Sequence, residues 1–153
     1  MADLDRIDRR ILRLLQQDGR LTNAELAERV SVSAATCHRR TRRLFAEGYI
    51  QSVRAVIAPE RVGLGAIALV GVVLDRSTPE SFATFESAVI DLPMVLDCHL
   101  VAGDFDYLLK IRVRDITDFN RLHGEVLIAL PEVRQARTFF VMKEVKDGAP
   151  LAF

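Results

Sequence analysis

The chain has 153 residues, which suits one ordinary domain or two small ones. Half of the residues are hydrophobic and 27% are charged, so the composition favours a packed core and excludes an intrinsically disordered chain. The net charge is zero, but residues 1–61 carry 12 Arg and 8 acidic residues, whereas residues 62–153 carry 9 basic and 13 acidic residues. This asymmetry predicts a polyanionic partner for the first part of the chain only.

The sequence favours a cytoplasmic protein without a membrane segment. Charged residues begin at position 3, which is unlike a signal peptide, and the longest apolar run, residues 64–74, is too short to span a bilayer. Cys37 and Cys98 lie far apart, with no His or Cys at metal-ligand spacing. We therefore interpret both as small buried residues in a reducing compartment and expect no metal site.

Two helices are predicted near the start of the chain. Apolar residues at helical spacing over residues 4–15 indicate the first helix, with Asp3 and Asp5 as candidate N-caps and Asp18-Gly19 as its end. The stretch Thr22-Asn23-Ala24-Glu25 is a capping box, in which the Thr hydroxyl and the Glu carboxylate each accept a backbone N–H. It begins a second, short helix.

A third helix follows after a three-residue turn, with Ser33 as its predicted N-cap and Gly48 as its end. Its inward stripe is predicted to be Cys37, Thr41, Leu44 and Phe45. A capped short helix, a turn and a longer capped helix describe a helix-turn-helix, and the first helix completes a three-helix core.

The outward side of the third helix carries the chemistry of DNA recognition. Small residues at its start allow close approach to a major groove, while Thr36, His38 and Arg39 lie in the first turns, where base edges are read. Arg42 and Arg43 lie further along, where phosphates pass. The alternative is a solvated, Arg-rich face on an ordinary helical bundle. The candidate DNA-binding residues are Ser33, Ala34, Ala35, Thr36, His38, Arg39, Arg40, Arg42 and Arg43.

Residues 50–58 have the composition of a β-strand, and Pro59 ends it, so a strand is predicted to connect two domains. We expect a winged-type helix-turn-helix domain over residues 1–58, a linker over 59–65 and a second domain over 66–153.

The second domain is predicted as β-α-β-β-α-β, the ferredoxin-like α/β sandwich, which makes the whole chain α+β. The predicted strands cover residues 66–74, 94–101, 107–113 and 133–142, and the helices begin at Ser77-Thr78-Pro79-Glu80 and at Asp115. For the helix that begins at Asp115, the inward residues are predicted to be Ile116, Phe119, Val126, Leu127 and Leu130. Since helices cover only one face of the sheet, the apolar residues on the other face predict packing on a second subunit, so a dimer is the minimum assembly.

Between the second and third strands, Gly103-Asp104-Phe105-Asp106-Tyr107 places two carboxylates two residues apart. Turn chemistry explains such residues at a strand junction, because Gly and Asp favour turns. Ligand capture explains them equally well: Asp104 or Asp106 would bind the ammonium group of an amino acid, and the open backbone at Gly103 would bind its carboxylate. With no nucleophile or metal cluster beside the pair, we expect neither enzymatic activity nor a cofactor.

Several stretches resemble the Lrp/AsnC family of bacterial and archaeal feast/famine regulators, and the resemblance covers nearly the whole chain. They are Leu4-Asp5-Arg6-Ile7-Asp8, the helix-turn-helix with Arg43-Leu44, Gly48-Tyr49-Ile50, the run from Cys98 to Lys110, Leu130-Pro131 and Val141-Met142-Lys143-Glu144-Val145-Lys146. The Gly-Asp-Phe-Asp-Tyr stretch in its strand context is the most specific of these.

The resemblance implies a nucleoid-associated regulator whose dimers assemble further, commonly to octamers, and wrap or bend double-stranded DNA. It also implies an amino-acid effector bound between dimers, beside residues 103–107, which we call the acidic loop. Carried onto this chain, the effector-binding residues are Leu100, Gly103, Asp104, Asp106, Thr138, Phe139, Phe140 and Val141. One departure is the recognition helix, where one member of the family is richer in Pro and carries an acid near the position of Arg39, so we expect a different DNA target.

Three functions compete at this point. An effector-responsive transcription factor uses both the Arg-bearing helix and the acidic loop. An architectural nucleoid protein would bend DNA without a ligand. A metabolic enzyme or its amino-acid-sensing module has no use for the basic helical unit.

Overall fold

The computed structural model describes residues 4–153 and contains two compact units. The first unit contains the residues up to Val56 together with Lys146–Phe153, and the second is Ile57–Val145. The last eight residues therefore pack with the N-terminal unit, a placement that no pattern in the sequence indicates.

The three helices predicted for the first unit are confirmed as α1 (Arg6–Gln17), α2 (Asn23–Val30) and α3 (Ala34–Ala46). Asp5 is the N-cap of α1, and its carboxylate accepts the N–H groups of Ile7 and Asp8 at 2.9 and 2.8 Å. The other candidate cap, Asp3, lies outside the described residues. The capping box at the start of α2 and the Ser33 cap of α3 are also present.

A small apolar core joins the three helices, with Ile11, Leu26, Cys37 and Leu44 at its centre. The prediction that Phe45 belongs to this core is wrong, because its side chain is 43% exposed while that of Leu44 is fully buried. Consecutive helical residues point about 100° apart, so only one of the two can face the small core.

The end of the chain packs on α1. The side-chain amide of Gln16 bonds the backbone of Leu151 in both directions, at 2.8 Å to its N–H and 3.3 Å to its carbonyl oxygen. Arg13 donates to the carbonyl oxygen of Phe153 through Nε and Nη2, and its guanidinium lies 5.7 Å from the centre of the Phe153 ring. These hydrogen bonds and the cation–π pair hold the last residues of the chain against α1.

The connecting strand predicted over residues 50–58 is wrong. The segment has no strand hydrogen bonds within the described chain, and Val56 is almost fully exposed. A strand needs a neighbouring strand to bond with, and this segment has none in the single chain. It leads into a 3₁₀ turn, Pro59–Val62, that ends at Gly63.

The second unit has the predicted βαββαβ order. Its elements are β1 (Ala66–Leu74), α4 (Pro79–Ile90), β2 (Val95–Leu100), β3 (Tyr107–Val113), α5 (Ile116–Glu125), a 3₁₀ turn (Leu127–Ala129) and β4 (Val133–Phe140). The strands form one antiparallel sheet in the order β2-β3-β1-β4. The ferredoxin-like prediction is confirmed.

The core of this unit lies between the helices and one face of the sheet. Val70, Leu109 and Ile111 alternate inward from β1 and β3 and meet Phe85 of α4 and Phe119 of α5. The prediction that Ile116 faces inward is wrong, since that first residue of α5 is 58% exposed. No helix within residues 4–153 combines the length and the apolar character that crossing a membrane requires.

Candidate DNA-binding helix and effector loop

The start of α3 is fixed by hydrogen bonds to its own cap and to α2. Ser33 Oγ accepts the N–H of Thr36 at 3.2 Å, and Asn23 of α2 donates to the carbonyl oxygen of Ala34 at 2.9 Å. Ala34, Ala35, His38, Arg39 and Arg42 are exposed, whereas Thr36 is partly buried beside its cap. The helix thus presents small residues at its start and a row of cationic and hydrogen-bonding side chains after them.

Two of the predicted DNA-binding arginines have partners inside the protein. Arg40 Nη1 lies 2.9 Å from Asp8 Oδ1 and 2.6 Å from Asp5 Oδ2. Arg43 Nη2 lies 2.6 Å from Asp8 Oδ2, and the Asp8 carboxylate is only 1% exposed. The backbone N–H of Asp8 and the Arg40 guanidinium lower the pKa of Asp5 to about 2. A direct role of Arg40 and Arg43 in DNA contact stays a prediction.

In the acidic loop, the Asp106 carboxylate is a structural hydrogen-bond acceptor. Its Oδ2 accepts the N–H of Leu74 at 2.8 Å, and its Oδ1 accepts the Ser77 hydroxyl at 3.3 Å. Its backbone N–H donates to Val72 at 2.9 Å. Asp106 therefore ties the loop to the end of β1. Asp104 and Gly103 are exposed, and Gly103 has φ +151°, a conformation that side chains disfavour.

The Phe105 ring of the same loop covers Gly71 of β1. A Cβ added at Gly71 would lie 2.6 Å from two carbon atoms of that ring, so only glycine leaves room for it. The ring also makes an edge-to-face contact with Phe139 of β4, with 6.3 Å between ring centres. The loop is thereby held on the helix-free face of the sheet.

We expect Gly71→Ala to lower the free energy of unfolding by about 1–3 kcal/mol, because Phe105 would have to leave its place. Urea denaturation measures this change. The control is Gly124→Ala in α5, where a Cβ meets no atom within 4 Å, and we expect it to gain no more than about 1 kcal/mol. Equal stability of the two variants would show that the Phe105 contact contributes nothing.

The structure does not bring all the predicted effector-binding residues together in one chain. Leu100 lies on β2 and Thr138 on β4, the two edge strands of the sheet. Three strand spacings separate these edges, which is about 14 Å and too far for one small amino acid to touch both. Phe139, by contrast, does reach the acidic loop through Phe105.

The family of the chain follows from two matches that divide it at about residue 60. Residues 4–51 match the winged helix-turn-helix DNA-binding model, and residues 67–151 match the Lrp/AsnC ligand binding domain model. The chain belongs to the Lrp/AsnC family. The second match alone covers more than half of the chain.

Curated and solved Lrp/AsnC proteins resemble the chain over nearly its whole length. It is 48% identical to the leucine-responsive regulatory protein of Klebsiella pneumoniae and 47% identical to that of Escherichia coli K12, over 95% of this chain and 89% of each relative. A transcriptional regulator of Neisseria meningitidis, solved as a complex with L-Met, has 36% identity and a TM-score of 0.90, with 97% of each chain covered. An AsnC family regulator of Agrobacterium tumefaciens has 32% identity and a TM-score of 0.91, covering 97% of this chain and 96% of that one.

The Lrp/AsnC ligand-binding domain of this chain contains a cleft that is not among the sites predicted from the sequence. About 410 Å³ lie between α4 and the edge strand β2, lined by Glu86, Ile90, Leu100 and Tyr107 among others. Tyr107 is buried and donates to Glu86 Oε1 at 2.7 Å, and burial together with this carboxylate raises the pKa of the phenol. The sequence signal was Tyr107 at a buried strand position, since a buried phenol needs an acceptor.

Cys98 also lines this cleft, and its predicted burial is wrong because it lies on the exposed edge strand. The prediction that Cys37 is buried is confirmed.

Proposed function

We propose that this protein is a transcriptional regulator that binds double-stranded DNA through α3 and changes its binding when a small amino acid occupies the second unit. The observation that carries the proposal is the exposed row of His38, Arg39 and Arg42 on the third helix of a helix-turn-helix. Guanidinium groups there can pair with guanine edges or phosphates once the helix enters a major groove.

The proposal of an effector site in the acidic loop rests on the exposed carboxylate of Asp104 beside Gly103. An exposed carboxylate next to an open backbone suits an ammonium group and a carboxylate on the same ligand. The Neisseria meningitidis relative, whose structure is a complex with L-Met, supports an amino acid as the ligand class. Asp106 serves the site by holding the loop in place.

For the assembly, we propose a dimer formed through the helix-free face of the sheet. Leu69, Leu108 and Phe139 are exposed large apolar residues there, and such a patch is rarely left in water. Further assembly of dimers, as octamers, would let chains contribute opposite sheet edges to one effector site. Such a regulator would work in the cytoplasm, on the nucleoid.

Arg39→Ala tests the DNA-binding part of the proposal. We expect it to weaken binding to the protein's own promoter by about 1–3 kcal/mol without changing assembly, because one base or phosphate contact is lost. Mobility-shift titrations across a range of salt concentrations measure the effect. The charge-matched control is Arg10→Ala on α1, also exposed, which should bind normally. Collapse of the assembly in Arg39→Ala would mean that Arg39 has a structural role instead.

A ligand-independent architectural protein is the alternative, because the Arg-bearing helix alone would serve it. Thermal unfolding in the presence of each of the twenty amino acids separates the two functions. A ligand that binds the folded state must raise the Tm, so the proposed regulator gives at least one positive shift. No shift with any of them would favour the architectural protein.

A further inference from the structure

The four arginines at positions 39, 40, 42 and 43 of α3 divide into two pairs with different surroundings. Arg39 and Arg42 are exposed. Arg40 and Arg43, one helical turn apart, both reach the buried carboxylate of Asp8 on α1, which accepts one guanidinium on each oxygen. The Arg43 side chain nevertheless stays 38% exposed and lines a surface groove together with Arg39 and Arg42.

The Asp8 side chain is only 1% exposed. Removing a carboxylate from water is costly unless the charge is paired and its oxygens are hydrogen-bonded, and here the two guanidiniums supply both. The same carboxylate accepts the N–H of Asp5 at 3.4 Å and so completes the cap of α1. One side chain thus joins the start of α1 to two successive turns of α3.

The buried side chains of Cys37 and Leu44 fix the rotation of α3, and the bonds from Arg40 and Arg43 to one carboxylate then hold both guanidiniums beside α1. Arg39 and Arg42 stay exposed to solvent.

We infer that Asp8 is a positioning residue for DNA recognition: it holds the guanidiniums of Arg40 and Arg43 against α1, so that Arg39 and Arg42 are the arginines of this group left to contact DNA. This inference rests on the proposed function, since it requires α3 to bind DNA. Its electrostatic consequence is specific. The Arg40 and Arg43 side chains are 20% and 38% exposed, but a guanidinium already paired with a carboxylate releases fewer counterions when DNA binds and so adds less to the salt dependence of the affinity than an unpaired one.

The test compares the full-length protein with Asp8→Asn on two duplexes of equal length, its own promoter and a random sequence, at several salt concentrations. We expect Asp8→Asn to bind the random duplex at least as tightly as the unaltered protein. Its log affinity should fall more steeply with log salt, by about one per chain, because Arg43 loses its 2.6 Å partner and can reach a phosphate, whereas Arg40 keeps its ion pair with Asp5. The promoter-to-random affinity ratio should fall about tenfold.

Asp18→Asn is the matched control. It removes one carboxylate from the end of the same helix, where the exposed Asp18 side chain accepts the backbone N–H of Arg20 at 2.9 Å. We expect its affinity ratio and salt slope to equal those of the unaltered protein. An unchanged ratio and slope in Asp8→Asn, or a proportional loss on both duplexes, would overturn the inference. If the unaltered protein binds neither duplex, the proposed function falls and the inference with it.

Should Asp8→Asn fail to fold, the neighbours Arg42→Gln and Arg43→Gln decide the matter. Arg42→Gln should flatten the salt slope by about one and leave the Tm unchanged. Arg43→Gln should lower the Tm and flatten the slope less than Arg42→Gln does. The reverse pattern would make Arg43 a phosphate contact and overturn the inference.

Discussion

Leu44→Ala is expected to abolish DNA binding while leaving the second unit folded. The side chain is fully buried at the centre of the three-helix core. Truncation of a buried Leu to Ala costs about 2–5 kcal/mol, and a unit of this size has little more stability than that to lose. Mobility shifts measure the loss of binding, and circular dichroism measures the loss of helix.

The neighbouring residue gives a matched control. Phe45 is larger than Leu44 but 43% exposed, so Phe45→Ala should cost less than its size suggests and leave DNA binding in place. Size-exclusion chromatography should show both variants in the assembly of the unaltered protein. Normal DNA affinity in Leu44→Ala would contradict the core described here.

Asp104→Ala and Asp106→Ala are expected to abolish the response to the effector by two different routes. Asp106→Ala leaves the N–H of the buried Leu74 without its acceptor, which costs about 1–3 kcal/mol of stability. Asp104 is exposed, so Asp104→Ala should change stability by no more than about 0.5 kcal/mol. Yet it removes the carboxylate proposed to bind the ammonium group.

Denaturation and ligand-induced thermal shifts together separate the two residues. In Asp104→Ala, unfolding without ligand should match that of the unaltered protein, and the amino-acid-induced rise in Tm should vanish. In Asp106→Ala, the protein should unfold more easily without ligand, and the amino-acid-induced rise in Tm should also vanish. A full ligand response in Asp104→Ala would exclude that residue from the site, and an unchanged stability in Asp106→Ala would contradict its hydrogen bond to Leu74.

The sequence predicted the elements well where local chemistry determines them. The caps at Asp5, Thr22 and Ser33 are read directly from residue types at fixed spacing, and the structure contains all three. The order of the second unit followed from alternation and turn residues. Phe45 and Ile116 were misplaced because they lie at the border of a helical stripe, where a period of 3.6 residues does not decide between core and solvent.

The site was harder to predict because its contacts join residues far apart in the chain. Nothing near Asp8 in the sequence indicates that it would bind Arg40 and Arg43, which lie 32 and 35 positions away. The same holds for the Phe105 ring against Gly71. The strand predicted over residues 50–58 failed for a related reason, since a strand forms only with a bonding neighbour.

The width of the sheet has a consequence for how the protein would sense its ligand. If β2 of one chain and β4 of another both touch a single amino acid, occupancy becomes a property of paired chains rather than of each polypeptide. Mass action then links the affinity for the ligand to the concentration of the protein. Diluting the protein would weaken ligand binding, and a higher protein concentration would strengthen it. The response of the regulator to its ligand would therefore depend on its own concentration in the cell.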